Sequence, residues 1–476
     1  MATISYGILA DGNSSEFLGA SSIISTKGTD VIALQEDGTI FAYNPGDIAY
    51  TLVCSALVWF MVPGIAFLYS GTVRGKNALS LLLLPLLAMA VVSLQWWFWG
   101  YSLAFSPGAN LFIGDLAHVG FENVLSEPEH STHNKVPGIV FAFFQQQQAA
   151  LGGAVSIGAA AERGRIGPSL IFIFVWMTIV YCPLVAWIYN PAGWAANWGV
   201  LDYGGGVTIE ICSGMTGLAY SIFIGRRKGY GMKVHPHNVP HVVLGTAMLW
   251  FGWLGLNGCG TFAANVKSAL VMIDTHLAAC AGGLVWIIMD YRMEGKWSLV
   301  GFCLGAISGL VSITPAGYVG ASASILIGAL ASAISNTAVN FRHKLPWDDG
   351  LDIFGGHAIS GVVGVLLTGV FAQKNIAQVD GFTVIEGGVL NRNYKQLYKQ
   401  LVWILAGGGW SFVVTYLIMI VINYLPHCHF RANEESETLG MDEDQSGERA
   451  YVRGLSHFGH LSVLPLHSRD SMFQFM

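Results

Sequence analysis

The 476 residues are 53% hydrophobic and only 11% charged, against about 25% charged in a soluble globular chain. That balance excludes a cytosolic enzyme and a disordered scaffold, and the net charge of −6 points away from nucleic acid. Long unbroken apolar runs, in place of alternating segments of about ten residues, exclude a transmembrane β-barrel and leave an all-α polytopic membrane protein.

The first 46 residues mix polar and apolar types and show no basic stretch followed by an apolar core, so no cleavable signal peptide is expected. From there, segments without Asp, Glu, Lys or Arg mark the helices in turn. They run from Asp47 to Arg74, Lys76 to Asp115, Lys135 to Glu162 and Arg165 to Asp202. A fifth, 203–225, contains Glu210, and Lys233 to Lys267 gives a sixth. The seventh, 268–289, contains Asp274. The stretch from Lys296 to Arg342 is too long for one span, and Pro315-Ala316-Gly317 divides it into two. Asp352 to Lys374 and Lys399 to Arg431 complete eleven helices. The seven cysteines are scattered and form no CxxC pair, so neither a disulfide framework nor a metal site is expected, and no cofactor is implied.

Lys and Arg in the short loops set the orientation. Alternate loops hold twelve basic residues, from Arg74 to Lys344, and the opposite loops hold six. The richer side is cytoplasmic, which places the N-terminus outside and the C-terminus inside. The expected organisation is an extracellular tail over 1–46, a transmembrane domain over 47–425 and a cytoplasmic regulatory tail over 426–476. The sequon at Asn13 then faces outward, consistent with glycosylation. Five helices followed by five more give an inverted repeat plus one added helix, with Glu210 in helix five and His357 in helix ten at equivalent places.

A charge at the bilayer centre costs at least ~2.5–3.5 kcal/mol, so each intramembrane ionisable group must face protein or water. Asp202 and Asp352 stand at helix starts, where a carboxylate satisfies orphan N–H groups; such a cap can still line a site. Glu210 lies too far inside to be a cap, and with His357 it forms a proton-transferring or cation-handling pair. Asp274 and His276 are expected to make an interhelical hydrogen bond. Most of the Trp and Tyr at 96–101 and 187–203 read as interface belt or packing residues, and a minority as a cation–π station at a pore mouth. Four consecutive glutamines, Gln145 to Gln148, need a neighbouring helix or a wet cavity.

Several stretches then match a known family. They are Val62-Pro-Gly-Ile-Ala-Phe-Leu-Tyr-Ser-Gly-Thr-Val-Arg-Gly-Lys-Asn77, Gly158-Ala-Ala-Ala-Glu-Arg163, Asp202-Tyr-Gly-Gly-Gly206 and Gly252-Trp-Leu-Gly-Leu-Asn257. Thr314-Pro-Ala-Gly-Tyr-Val319, Asp348-Asp-Gly-Leu-Asp-Ile-Phe-Gly-Gly-His357 and Gly440-Met-Asp-Glu-Asp-Gln-Ser-Gly-Glu-Arg-Ala-Tyr451 continue the series in order. The chain resembles the Amt/Mep/Rh ammonium transporters, within them the fungal Mep branch, from about 46 to 452.

The resemblance implies a homotrimer in the plasma membrane, each subunit with its own narrow pore for ammonium or methylammonium. Asp202 matches the vestibule-side Asp that supports recruitment, His357 the second pore histidine, and Trp253 a pore-adjacent Trp. Glu210 falls at the first histidine, a variant associated with higher-capacity Mep proteins. The family's paired gate phenylalanines fall at Gln148 and Leu256, its vestibule serine at Gly260 and its recruitment Trp at Tyr189. Asp349 and Asp352 read as supporting residues. Ammonium uptake, of low affinity and high capacity, is the leading expectation. An ammonium sensor or non-conducting homologue signalling through the tail is a second, with a kinase acting at Arg453-Gly-Leu-Ser456. A wet channel for another small solute is a third, suggested by the polar Gln148.

Overall fold

A computed structural model describes residues 31–34, 40–231 and 235–451. A short antiparallel hairpin, β1 (Val31–Leu34) and β2 (Ile40–Tyr43), precedes the helices. These are α1 (Pro45–Thr72), α2 (Gly75–Phe105), α3 (Gly138–Ile157), α4 (Ile166–Trp198) and α5 (Gly206–Ile224). They continue as α6 (Val239–Thr261), α7 (Val266–Glu294), α8 (Leu299–Ile313), α9 (Ala321–Phe341), α10 (Phe354–Phe371) and α11 (Lys395–Asn423). Two short helices, α12 (Glu434–Leu439) and α13 (Met441–Gln445), follow. Among the described residues, nine helices are long and apolar enough to cross a membrane. The glutamine run dilutes the apolar character of α3, and α8 has only 15 residues.

Local sequence explains where the helices begin. Asn44 accepts from Gly46 N and Pro45 takes the first turn of α1. Asn238 and Asn265 accept from His241 N and Ser268 N at the starts of α6 and α7, and Gly295 ends α7 in the left-handed region. As expected, Pro315-Ala316-Gly317 separates α8 from α9.

Inside a membrane, helices associate through close packing rather than through exclusion of water. Here α1 packs on α6, α7 on α8 and α9, and α5 on α11. Gly309 of α8 and Gly328 of α9 both lie against the Ala278 carbonyl of α7, where any Cβ would collide. Trp96, Trp176, Trp253 and Trp403 are buried in the interior, while Trp59, Leu244, Ile273, Leu330 and Val413 lie exposed on the outer faces. Asp274 is buried and faces Ser324 of α9, the interhelical neighbour expected of it, although neither carboxylate oxygen meets hydrogen-bond geometry among the described residues. The Ser324 hydroxyl turns back to its own helix at the Ala321 carbonyl, and His276 Nε2 meets Cys280 Sγ, 3.7 Å away on its own helix.

The end of the bundle that carries the chain's last described residues is tied by charge. Glu162, in the turn between α3 and α4, accepts from Arg74 Nε at 2.8 Å, Arg227 Nη1 at 2.7 Å and Asn77 Nδ2 at 3.1 Å. Burial alone would raise its carboxyl, but these partners bring it down to about 2. The tail docks alongside: Asp442 accepts from Leu79 N and Ser80 N at 3.0 and 2.7 Å, capping the first α-helical turn of α2 from outside. Lys76 Nζ donates to the carbonyls of Glu437 and Thr438 at 2.6 and 2.7 Å.

Candidate functional site

The turn before α5 is built around Asp202. Its carboxylate accepts from the backbone N–H groups of Gly205, Gly206 and Val207 at 3.2, 2.5 and 2.9 Å. Trp403 Nε1 on α11 supplies a fourth donor at 2.9 Å. The capping reading of Asp202 is therefore what the structure shows. Backbone bonds from Tyr203 N to Pro315 O and Gly204 N to Thr314 O, at 3.2 and 2.9 Å, lock the turn to the loop after α8. Trp253 Nε1 donates to Thr314 Oγ1 at 2.8 Å, bracing that loop from α6.

Both α5 and α10 open with π-helical turns, Gly206–Ile211 and Phe354–Ile359, which hold Glu210 and His357 respectively. Such turns widen the helix and re-aim side chains, a common arrangement at functional sites. The helices meet at small residues: Gly214 lies against Ala358 and Gly361 against the Glu210 Cβ. Ser360, about one turn further along α10 than His357, exchanges hydrogen bonds with Ser308 of α8 and Ser335 of α9, each at 2.7 Å. This clamp brings His357 Nδ1 to 2.7 Å from Glu210 Oε2. Glu210 is 1% exposed and His357 12%, and Gly356 beside the histidine faces open space. Glu210 Oε1 has no hydrogen-bond partner among the described residues. With the carboxylate ionised, Nδ1 must carry the hydrogen and Nε2 is left as a base. With a second proton taken up, the pair becomes an imidazolium beside a carboxylate.

A cavity of about 220 Å³ lies at the opposite end of the bundle from the docked tail. Five of the sequence-predicted residues line it: Asp202, Tyr189, Gln148, Leu256 and Gly260. Trp253, Glu210 and His357 do not. Gln145 also faces it, so two of the four glutamines face a cavity. Gln146 donates instead to the Ser93 carbonyl at 3.1 Å, and Gln147 Oε1 is buried without a partner among the described residues. Gly260 has a steric reason: a Cβ there would fall 2.5 Å from the Tyr203 ring. A serine at this position therefore needs a different residue, or a different rotamer, at 203.

Asp352 was expected to cap α10, and here the structure differs. Asp349 Oδ2 accepts from Phe354 N at 2.7 Å, whereas the Asp352 carboxylate turns to Arg342. Asp352 has a positive φ of 56°, which rotates its side chain away from the helix start. Burial, first, and the neighbouring Asp352 push the Asp349 carboxyl up to about 6. Asn13 and Ser456 lie outside the described residues.

Several residues of the site escaped sequence reading. Phe262 joins Phe141 and Phe144 in an aromatic wall of the cavity, with centroids 5.1 and 5.5 Å away. Phe382 meets His133 across the rim, ring centroids 4.7 Å apart and planes tilted by 52°. Each belongs to a loop or helix end distant in sequence from its partner, and no periodicity marks it.

The Ammonium Transporter Family model matches residues 49–451. Ammonium transporter 2 of Schizosaccharomyces pombe is 43% identical over 442 residues, covering 91% of this chain and 86% of that protein. Ammonium transporter MEP3 of Saccharomyces cerevisiae is 44% identical over 414 residues, covering 86% and 84%. The crystal structure of Candida albicans Mep2 superposes with a TM-score of 0.80 at 41% identity, covering 86% of this chain and 90% of that one.

Proposed function

Because the chain belongs to the ammonium transporter family, we propose that it carries ammonium across the plasma membrane by a path within each subunit, with Glu210 and His357 handling the proton. The observation that carries this reading is the 2.7 Å contact between the two residues in the interior of a membrane bundle. Isolated ionisable groups are too costly there to persist without a task. Asp202 places its carboxyl group in the wall of the cavity, where an entering cation gathers. Tyr189 offers it a ring face. Gln148 and Leu256 stand at the gate, Gly260 gives Tyr203 its room, and Trp253 holds the wall. Released ammonia passes inward while the pair takes the proton at its vacant base, His357 Nε2, and Nδ1 shares its hydrogen with Glu210 Oε2. Asp349 and Asp352 support the start of α10.

This reading includes eleven spans, with α3 and α8 joining the nine apolar helices, and an inverted repeat of five helices plus α11. The matching π-helical turns of α5 and α10 support the repeat. The loop charges support an external N-terminus and a cytoplasmic tail beginning near 426, with glycosylation at Asn13 and a kinase at Ser456. The assembly is a homotrimer, its subunits pairing through part of the exposed apolar outer face. Methylammonium is a second substrate, and the altered gate fits low affinity and high capacity. The relatives' names favour conduction over sensing.

The test is the current evoked by ammonium in planar membranes containing purified protein. A saturable current is expected, falling at least tenfold in Glu210→Ala and His357→Ala while both variants remain folded and correctly assembled. Wild-type current in both would remove the proton-handling role.

A further inference from the structure

Lys267 is fully buried in the first turn of α7. Its Nζ lies 2.8 Å from Asp380 Oδ2 and donates to the Ala377 carbonyl at 3.1 Å. It also stands 5.5 Å from the Tyr203 ring centroid and 5.2 Å from that of Tyr318. Those two rings line the cavity on their other side. A lysine charge thus sits one ring's thickness behind the wall of a chamber assigned to a cation. Asp380 answers it, and the same carboxylate holds the rim. Its oxygens accept from Phe382 N, Thr383 N and Thr383 Oγ1 at 3.0, 2.8 and 2.5 Å, and both residues line the cavity.

We infer that the Lys267–Asp380 pair sets the cation affinity of the cavity: Asp380 cancels the lysine's repulsion of the incoming cation while seating Phe382 at the rim. The pair acts by positioning and by field, without touching the cation. The inference rests on the cation reading of the cavity, not on the proton step below it. Burial would raise the Asp380 carboxyl, but the bonds from Lys267 and Thr383 hold it below its usual value, so it is ionised at neutral pH.

A unit charge at about 10 Å in a medium of effective dielectric near 20 changes cation affinity by about tenfold or somewhat more. The two charges have opposite signs, so their removal has opposite effects. Asp380→Asn keeps an acceptor for the rim backbone and loses the charge; Lys267→Gln keeps a donor and loses the charge. The measurement is methylammonium binding to purified protein in detergent at pH 6, followed by broadening of its NMR signal, beside the ammonium current. Asp380→Asn should weaken Kd about tenfold and Lys267→Gln should tighten it several-fold, with the double variant within about twofold of wild type. If the pair is only a structural strap, both single variants weaken binding together, and that result overturns the inference. Should Lys267→Gln fail to fold, Asp380→Glu decides. It keeps the charge on a longer side chain and should restore most of the affinity that Asp380→Asn loses, whereas a Kd matching that of Asp380→Asn overturns the electrostatic role. A wild type that binds with this order yet carries no current sinks the transport reading and leaves the inference standing. A current without the order does the reverse.

Discussion

Asp202 shows how one side chain can hold a turn together and still line a cavity. Four hydrogen-bond donors converge on its two oxygens, and each buried donor left unpaired costs about 1–3 kcal/mol. Asp202→Ala should therefore destabilise the folded protein by several kcal/mol, read as an early thermal transition in detergent, whereas Asp202→Asn should lose about 1–2 kcal/mol. Equal melting of the Ala variant and wild type would show that the turn is held by its backbone bonds alone. Asp202, Glu210 and His357 were legible in the sequence because a charge in an apolar run demands a reason. Lys267 and Asp380 were not. They are 113 residues apart, each lies at the edge of a polar loop, and only the fold makes them neighbours of the cavity. Gly260 was legible as a departure from a family pattern, but its cause, the Tyr203 ring, was visible only in three dimensions.

At the scale of helices and their connections, charge-free stretches located the segments well because helices crossing lipid must satisfy their own backbone. Their first turns were harder to read. The choice between Asp349 and Asp352 as the cap of α10 depends on a single positive φ, and the π-helical turns have no compositional mark. The connection between α3 and α4 carries its own consequence. With its pKa lowered to about 2 from an ordinary 4.5, Glu162 contributes stability that is fully present above about pH 4.5 and is lost as pH falls toward 2. Glu162→Gln should cost about 2–4 kcal/mol at pH 7, since Arg74 and Arg227 then lose their shared partner. Thermal unfolding of both proteins from pH 7 to 3.5 checks the sign: the gap should narrow below about pH 4.5. A gap that is flat with pH would mean that Glu162 acts through its shape and not through its charge.

For the whole molecule, the class and the order of the helices followed from composition, and the packing followed from small residues whose partners no single sequence identifies. The tail could be placed on the basic side from its loop charges, but not docked. Asp442 reaches α2 across 362 residues of chain, and only folding shows that a tail acid completes a helix start near the other terminus. Closing the chain in this way ties the loops after α1, α3 and α5 to one another.

The cavity and the Glu210–His357 pair are furnished by one chain, whose tail also completes one of its own helices. If the path runs through that pair as proposed, each intact copy in a cell with one intact and one damaged allele keeps its own path, whatever its neighbours in the assembly. Point changes at Glu210 should not interfere with the intact copies, so uptake should follow gene dosage in direct proportion. Dominant alleles should instead be those that misfold after association and withhold normal copies from the cell surface. Uptake in diploid strains carrying defined mixtures of alleles would read this directly: a strongly curved relation to dosage for Glu210→Ala would mean that paths in neighbouring subunits depend on one another.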